Sequence, residues 1–442
     1  MKNILVIGAG KSAVTLINYL LNESAKNNWT VTVADYNLDL ALKASNNHSN
    51  SRSIFFDVND VNQRNKEIIS SDIVVSMLPA SMHILVARDC VNFKKNLVTA
   101  SYVSDEILAL DTQAKENGVL LLNEIGLDPG IDHMSAMKVI DDLKSQGAEI
   151  TSFKSFCGGL IHPDSDNNPW NYKFTWNPRN VILAGQGTAQ YIFNDTYKYV
   201  PYHQLFKRTE TLNILNAGEF EGYANRDSLS YRKSYGLEDI STMFRGTLRK
   251  KGFCRAWDIF IQLGMTSDDY KMIDSQSMKC SDFTNLFLPK NDKNSLEENF
   301  CDYLSIPLDS EDFKKIEWLG LFSDTIIGLD NLTPAQFLQK IAESKLSLES
   351  NDKDMVVMQH QFEYLIDDYT NVLHSSLIVF GDNQINTAMA KTVGLPVAIS
   401  VKLILSGAIN LSGVKIPTSK DIYLPVLNEL EDNGITFIEE LV

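Results

Sequence analysis

The sequence predicts an α/β protein: a doubly wound parallel sheet at the N-terminus, followed by a mixed α+β domain carrying a helical insertion. Three observations predict it. Strand-length runs rich in Val, Ile and Leu, with little polar alternation, recur through the first 125 residues. Helix-spaced segments separate most of them, which is the pattern of a sheet covered on both faces. After Gly126 the texture changes, and Pro129, Pro163, Pro169 and Pro178 punctuate a loop-rich stretch.

The elements follow in order. Lys2–Ile7 is an apolar run ending at a glycine, and Ser12–Leu21 has helical spacing through Val14, Leu16, Ile17, Leu20 and Leu21. Thr30–Ala34, Ser53–Asp57, Ile73–Met77, Asn96–Thr99 and Val119–Leu122 read as further strands. Beyond the polar turn at Asp164–Asn168, Gln204–Tyr235 carries short strand signals. Asp239–Lys251 and Arg255–Leu263 read as helices, with Lys250-Lys251 as a solvated helix end. Ser281–Ser347 is mostly helical and acidic, with a solvated face around Asp309–Glu317, which sets the insertion at about 238–347. Val356–Tyr364 and Ser375–Val379 return to strand. Asn386–Leu405 is a long apolar helix with a proline step at Pro396; its small residues Ala388, Ala390, Gly394 and Ala398 suit close packing. The expected division is 1–126 as a first domain, with 390–442 returning to pack on it, and 127–389 as a second domain.

Charge narrows the function classes. Asp and Glu total 56 against 40 Lys and Arg, a formal net charge of −16. That argues against a nucleic-acid partner, which would call for a basic face. No run of eighteen apolar residues appears, so no membrane partner is expected. Met1 leads directly into a strand, without the pattern of a signal peptide. The five cysteines are scattered and form no CxxC pair, pointing to a reducing cytoplasm and to no metal site.

Gly8-Ala9-Gly10-Lys11-Ser12-Ala13 lies directly between a strand and a helix. Gly8 permits a tight turn, Gly10 lets backbone approach a pyrophosphate, and Ala13 keeps the helix close to the sheet. The second strand ends in Asp35, 25 residues beyond Gly10, where an acidic side chain would hold a ribose 2′-OH. Together these read as a Rossmann dinucleotide site whose cofactor contacts are Gly8, Gly10, Lys11, Ser12, Ala13 and Asp35. Asp57, Leu78 and Pro79, in loops after the third and fourth strands, extend it. Asp35 would repel a 2′-phosphate, and no Arg or Lys follows in Tyr36–Asp39, so NAD is expected over NADP.

Four later segments concentrate polar groups: Thr99–Ser104, Asn123–His133, Ser155–Leu160 with Asn171–Trp176, and Ala224–Ser228 with Phe244–Leu248. In this combination and order the chain resembles the saccharopine dehydrogenases of the glutamate-forming type. The Gly126–His133 element is shared more widely, with carboxynorspermidine dehydrogenases and homospermidine synthases. FCGGL at Phe156, NYKFTW at Asn171, NRDSL at Asn225 and FRGTLR at Phe244 are more specific. Gly394–Ala398 extends the resemblance to near the end.

The resemblance implies a reversible oxidation of saccharopine by NAD(P)⁺ and water to L-glutamate and 2-aminoadipate 6-semialdehyde, in lysine metabolism. It places the substrate at Ser101, Tyr102, Asp128, Arg226, Arg245, Gly246 and Thr247, and Lys173 in a segment near the cofactor. Arg226 and Arg245 suit a tricarboxylate, with backbone N–H groups of Gly246 and Thr247 nearby. Asp128, in a short Gly-Pro loop, is the first candidate for the acid/base group, then Tyr102, then Cys157. The class also implies a homodimer, with 127–389 as the substrate-binding and dimerisation domain. His133, Cys157 and the Asp128-Pro129-Gly130 turn also have purely structural readings: a helix start, a small buried hydrophobe and a helix-opening turn. Related activity on carboxynorspermidine, and a cofactor-binding protein without catalysis, are the alternative readings. NADP users in the family tend to carry an arginine just after the second strand, where this chain has Tyr36.

Overall fold

The computed structural model describes residues 1–184, 186–291 and 294–442. The chain divides into two units. Met1–Ile150, Tyr364–Asn371 and Leu377–Val442 form the first, and Thr151–Glu363 with Val372–Ser376 form the second.

In the first unit β1 (Lys2–Ile7), β2 (Trp29–Asp35), β3 (Ser51–Phe55), β4 (Ile73–Ser76), β5 (Asn96–Val98) and β6 (Leu120–Leu122) form one sheet, with Gly413–Lys415 as a seventh strand. The spatial order is Gly413–Lys415, β6, β5, β4, β1, β2, β3, and every pairing is parallel. The reversal of strand order at β1 and β4 creates the crevice at their carboxyl ends where ligands of such sheets bind. The strands β1 and β4 are buried along almost their whole length, as their unalternated Val/Ile/Leu content requires.

Helix Ala388–Ser406 belongs to this unit. It is long and apolar enough to cross a membrane by length and composition, but two-thirds of its apolar window is buried within the fold. It packs on helix Val14–Asn27, and Gly394 is the point of closest approach. A Cβ there would stand 2.9 Å from the Leu16 backbone nitrogen and 3.2 Å from the Ser12 carbonyl oxygen.

The second unit is built on a mixed sheet containing β7 (Glu149–Ile161), β8 (Ala189–Phe193), β9 (Thr196–Val200), β10 (Thr209–Asn213), β11 (Glu219–Ala224), β12 (Thr242–Lys250), β13 (Asp354–Ile366) and β14 (Tyr369–Phe380). The order runs β10-β11-β12-β7-β13-β14, with β8 and β9 attached at β12. The helix expected over Asp239–Lys251 is therefore strand β12. Leu, Arg and Lys suit a helix locally, but pairing with β11 on one side and β7 on the other overrides that preference. Lys250 is correspondingly a strand end whose ammonium donates to the Ala217 carbonyl, and the helical stretch begins only at Phe253. Part of the acidic Glu311–Leu319 helix is also not solvated, because Asp312 is buried and pairs with Arg255 at 2.5 Å.

Candidate active site

At the cofactor end of the first unit, Gly8 leaves β1 with φ +103°, and a side chain there would strike the Met77 carbonyl oxygen at 2.6 Å. Gly10 meets nothing within 4 Å where its Cβ would point. The backbone thus faces open space at the position a pyrophosphate requires, and the turn fits a dinucleotide. Ala13 is buried, and its N–H donates to the Gly10 carbonyl. Lys11 and Ser12 occupy the single 3-10 turn that leads into helix Val14–Asn27.

Asp35 closes this loop from β2. One carboxylate oxygen accepts from the Ala9 N–H at 2.7 Å, and the other from the Asn37 N–H at 2.8 Å. Beside it the exposed ring of Tyr36 lies 5.4 Å from that of Phe55, at the end of β3. Asp57 sits in the next loop, where its carboxylate accepts from the Asn59 N–H. Leu78 and Pro79 follow β4, and the Pro79 carbonyl accepts from the Met82 N–H.

Two of the substrate-side residues meet in the same unit. Tyr102 donates its hydroxyl to Asp128 at 3.3 Å. Asp128 precedes a cis peptide bond to Pro129. Gly130 then takes φ +145°, with its would-be Cβ only 2.2 Å from Gly126, so this position admits only glycine. The Gly130 N–H donates to Asp132 at 2.6 Å as helix Ile131–Ser145 begins.

Behind this pair stand residues that the sequence reading did not select. Glu124, a buried carboxylate held at φ +56°, accepts from the Val103 N–H at 3.0 Å and faces His133 Nε2 at 2.9 Å. His133, completely buried, is thereby part of the brace behind Tyr102. His83 is the other addition. Its Nδ1 is 2.8 Å from the Ser76 hydroxyl and its Nε2 is 2.7 Å from the Ser101 hydroxyl. Burial pushes its pKa down to about 4, so the ring is neutral at physiological pH. The only sequence signal for His83 was its place at a helix start after β4. Glu124 and His133 stood inside a segment already singled out, nine residues apart.

In the second unit strand register brings Arg245, Thr247 and Cys157 close. Thr247 pairs with Cys157 and Arg245 with Ser155, which puts all four side chains on one face of the sheet. Arg226 leaves β11 in an exposed turn with φ +46°, and the adjacent Asn225 N–H donates to the Arg245 carbonyl at 2.8 Å. The Arg245 guanidinium is buried 4.4 Å from the Tyr231 ring centroid, a cation–π contact. Gly246 and Thr247 stand where β12 is flanked by β11 and β7. Lys173 is buried, with its ammonium 2.6 Å from Asp352. All five cysteines are buried, and among the described residues no cluster of three His, Cys, Asp or Glu side chains could hold a metal ion.

Comparison with known proteins assigns this architecture. Residues 4–122 match the saccharopine dehydrogenase NADP binding domain, and residues 126–435 the saccharopine dehydrogenase C-terminal domain. The chain is 34% identical to a saccharopine dehydrogenase [NADP(+), L-glutamate-forming] of Saccharomyces cerevisiae, with 99% of each covered. It is 36% identical to an alpha-aminoadipic semialdehyde synthase of Arabidopsis thaliana, covering 93% of this chain and 40% of that longer protein. A solved apo saccharopine dehydrogenase (L-Glu forming) from Saccharomyces cerevisiae superposes with a TM-score of 0.89 at 33% identity, and each chain is covered in full. Homospermidine synthase from Legionella pneumophila, 10% identical with a TM-score of 0.58 over 100% of this chain and 91% of that one, shares the fold. The chain belongs to the saccharopine dehydrogenase family, nicotinamide-dependent oxidoreductases acting on CH–NH donors.

Proposed function

We propose that this chain oxidises the secondary amine of saccharopine, with NAD and water, to L-glutamate and 2-aminoadipate 6-semialdehyde, reversibly, in lysine metabolism. The observation that carries the reading is the Tyr102–Asp128 pair in the loops after β5 and β6, on a nicotinamide-binding sheet. The bound nicotinamide supplies the two-electron acceptor. Asp128 takes a proton from the protonated substrate nitrogen and releases it to solvent; after the amine is oxidised to the imine it takes a proton from the water that adds to the imine carbon, and returns that proton to the departing glutamate nitrogen. Tyr102 donates to Asp128 and so orients its carboxyl group. Cys157 is the third candidate for proton transfer. Ser101 is a further substrate contact, and Arg226 and Arg245 suit the substrate carboxylates as planar, bidentate donors.

NAD is the proposed cofactor, in contrast to the NADP(+) in the names of the relatives. The Ala9 and Asn37 N–H groups hold the Asp35 carboxylate in place, so its charge cannot turn away from an arriving 2′-phosphate. The test is the initial rate of absorbance gain at 340 nm (roughly the reduced nicotinamide maximum) with saccharopine and either cofactor. Wild type should prefer NAD, and Asp35→Ser combined with Tyr36→Arg should move the kcat/KM ratio toward NADP by about tenfold or more. A wild-type preference for NADP refutes the cofactor reading alone. No turnover of saccharopine with either cofactor refutes the function.

A further inference from the structure

We infer that His83 is a positioning residue held in its Nε2–H tautomer by Ser76, so that Ser101 accepts from the imidazole and turns its own hydroxyl proton toward a substrate carboxylate. The inference rests on the reading that Ser101 touches the substrate.

A neutral imidazole has one N–H and one bare nitrogen, so the two serines must take opposite roles. Ser76 lies on β4 with no exposed surface, and His83 Nδ1 is the side-chain partner of its hydroxyl. Were Nδ1 the donor, the Ser76 proton would be buried without an acceptor, which costs more than a made hydrogen bond returns. Ser76 therefore donates to Nδ1, Nε2 carries the proton, and Ser101 Oγ receives it at 2.7 Å. Ser101 is only partly buried, so its own proton is left for a ligand.

The chain cannot serve as a proton relay, because it ends at a serine sealed from solvent. Its remaining use is orientation. The serine backbone is fixed as well: the Ser101 carbonyl accepts from the Glu124 N–H at 3.0 Å, and its N–H donates to Thr99 Oγ1 at 3.3 Å. Ser101 is thus held at both its backbone and its side chain, leaving the hydroxyl proton as its one undirected group. The oriented donor suits a substrate that carries three carboxylates.

Two substitutions separate orientation from mere support. The amide of His83→Gln reaches the Nε2 position and keeps a donor to Ser101, whereas that of His83→Asn reaches the Nδ1 position and keeps only Ser76. We expect His83→Gln to hold kcat/KM for saccharopine within about threefold, and His83→Asn to lose about 10- to 100-fold, the scale of one hydrogen bond to a charged group. Ser101→Ala should lose a similar factor, and adding His83→Asn to it should cost nothing further. Equal losses in the Gln and Asn variants, or a full additional loss in the double variant, overturn the proposal. Long-range 1H–15N correlation of the full-length wild-type protein reads the tautomer without any variant or substrate; an Nδ1–H signal for His83 overturns it independently. That spectrum is unaffected if saccharopine proves not to be the substrate, so the two failures are distinguishable.

Discussion

Acid should find His83 before it finds most of the molecule. The unfolded chain binds a proton at this side chain below about pH 6.5, whereas the folded chain resists until about pH 4, because burial disfavours the imidazolium. Protons therefore favour the unfolded state throughout that window. The stability His83 contributes is whole above about pH 6.5 and drains away as the pH falls toward 4, by up to about 3 kcal/mol. Denaturant titrations of wild type and His83→Gln at pH 7 and pH 5 should show a smaller acid loss in the variant; identical losses would rule out this account. None of this was legible in the sequence, since a histidine at a helix start carries no mark of two serines reaching it from β4 and the loop after β5. Asp35, in contrast, was legible, because its spacing from Gly10 follows from the length of one helix and one strand. Its two backbone hydrogen bonds add rigidity that spacing alone does not reveal.

At the scale of elements, the strands of the first unit were readable because apolar runs buried on both faces have few other uses. Strand β12 was not, because its residues form good helices and only its neighbours decide otherwise. The same contrast holds in the site. The Gly126–Gly130 turn announces itself through glycine and proline, whereas the brace of Glu124 on His133 depends on a left-handed backbone that glutamate rarely adopts. Small residues in the Ala388–Ser406 helix forecast close packing, and Gly394 is where it occurs. Gly394→Val should destabilise the protein by about 2 kcal/mol through overpacking against helix Val14–Asn27. It should also weaken NADH binding, because one of the atoms displaced is the Ser12 carbonyl in the cofactor loop. Urea unfolding and NADH titration check the two effects; full stability with intact binding would mean the helices separate at little cost.

For the molecule as a whole, the two units give cofactor binding a measurable signature. The glycine turn, Asp35 and the loops after β3 and β4 all belong to the first unit. NADH at a hundred times its Kd should therefore add about 2.7 kcal/mol to the unfolding of that unit and raise its Tm. Differential scanning calorimetry with and without NADH would show it, and an unmoved transition would count against a dinucleotide site there.

The seventh strand, Gly413–Lys415, and the helix that carries Gly394 against the cofactor loop lie far down the chain from the sheet they complete. Synthesis therefore delivers the cofactor unit in two instalments. When the ribosome has made the first 150 residues, β6 is an open edge and the outer surface of helix Val14–Asn27 is bare, both of which invite mispairing. The second unit must emerge, with its own sheet to build, before the closing strand and helix arrive. A nascent chain stalled between these points is the form in which this protein most needs a chaperone.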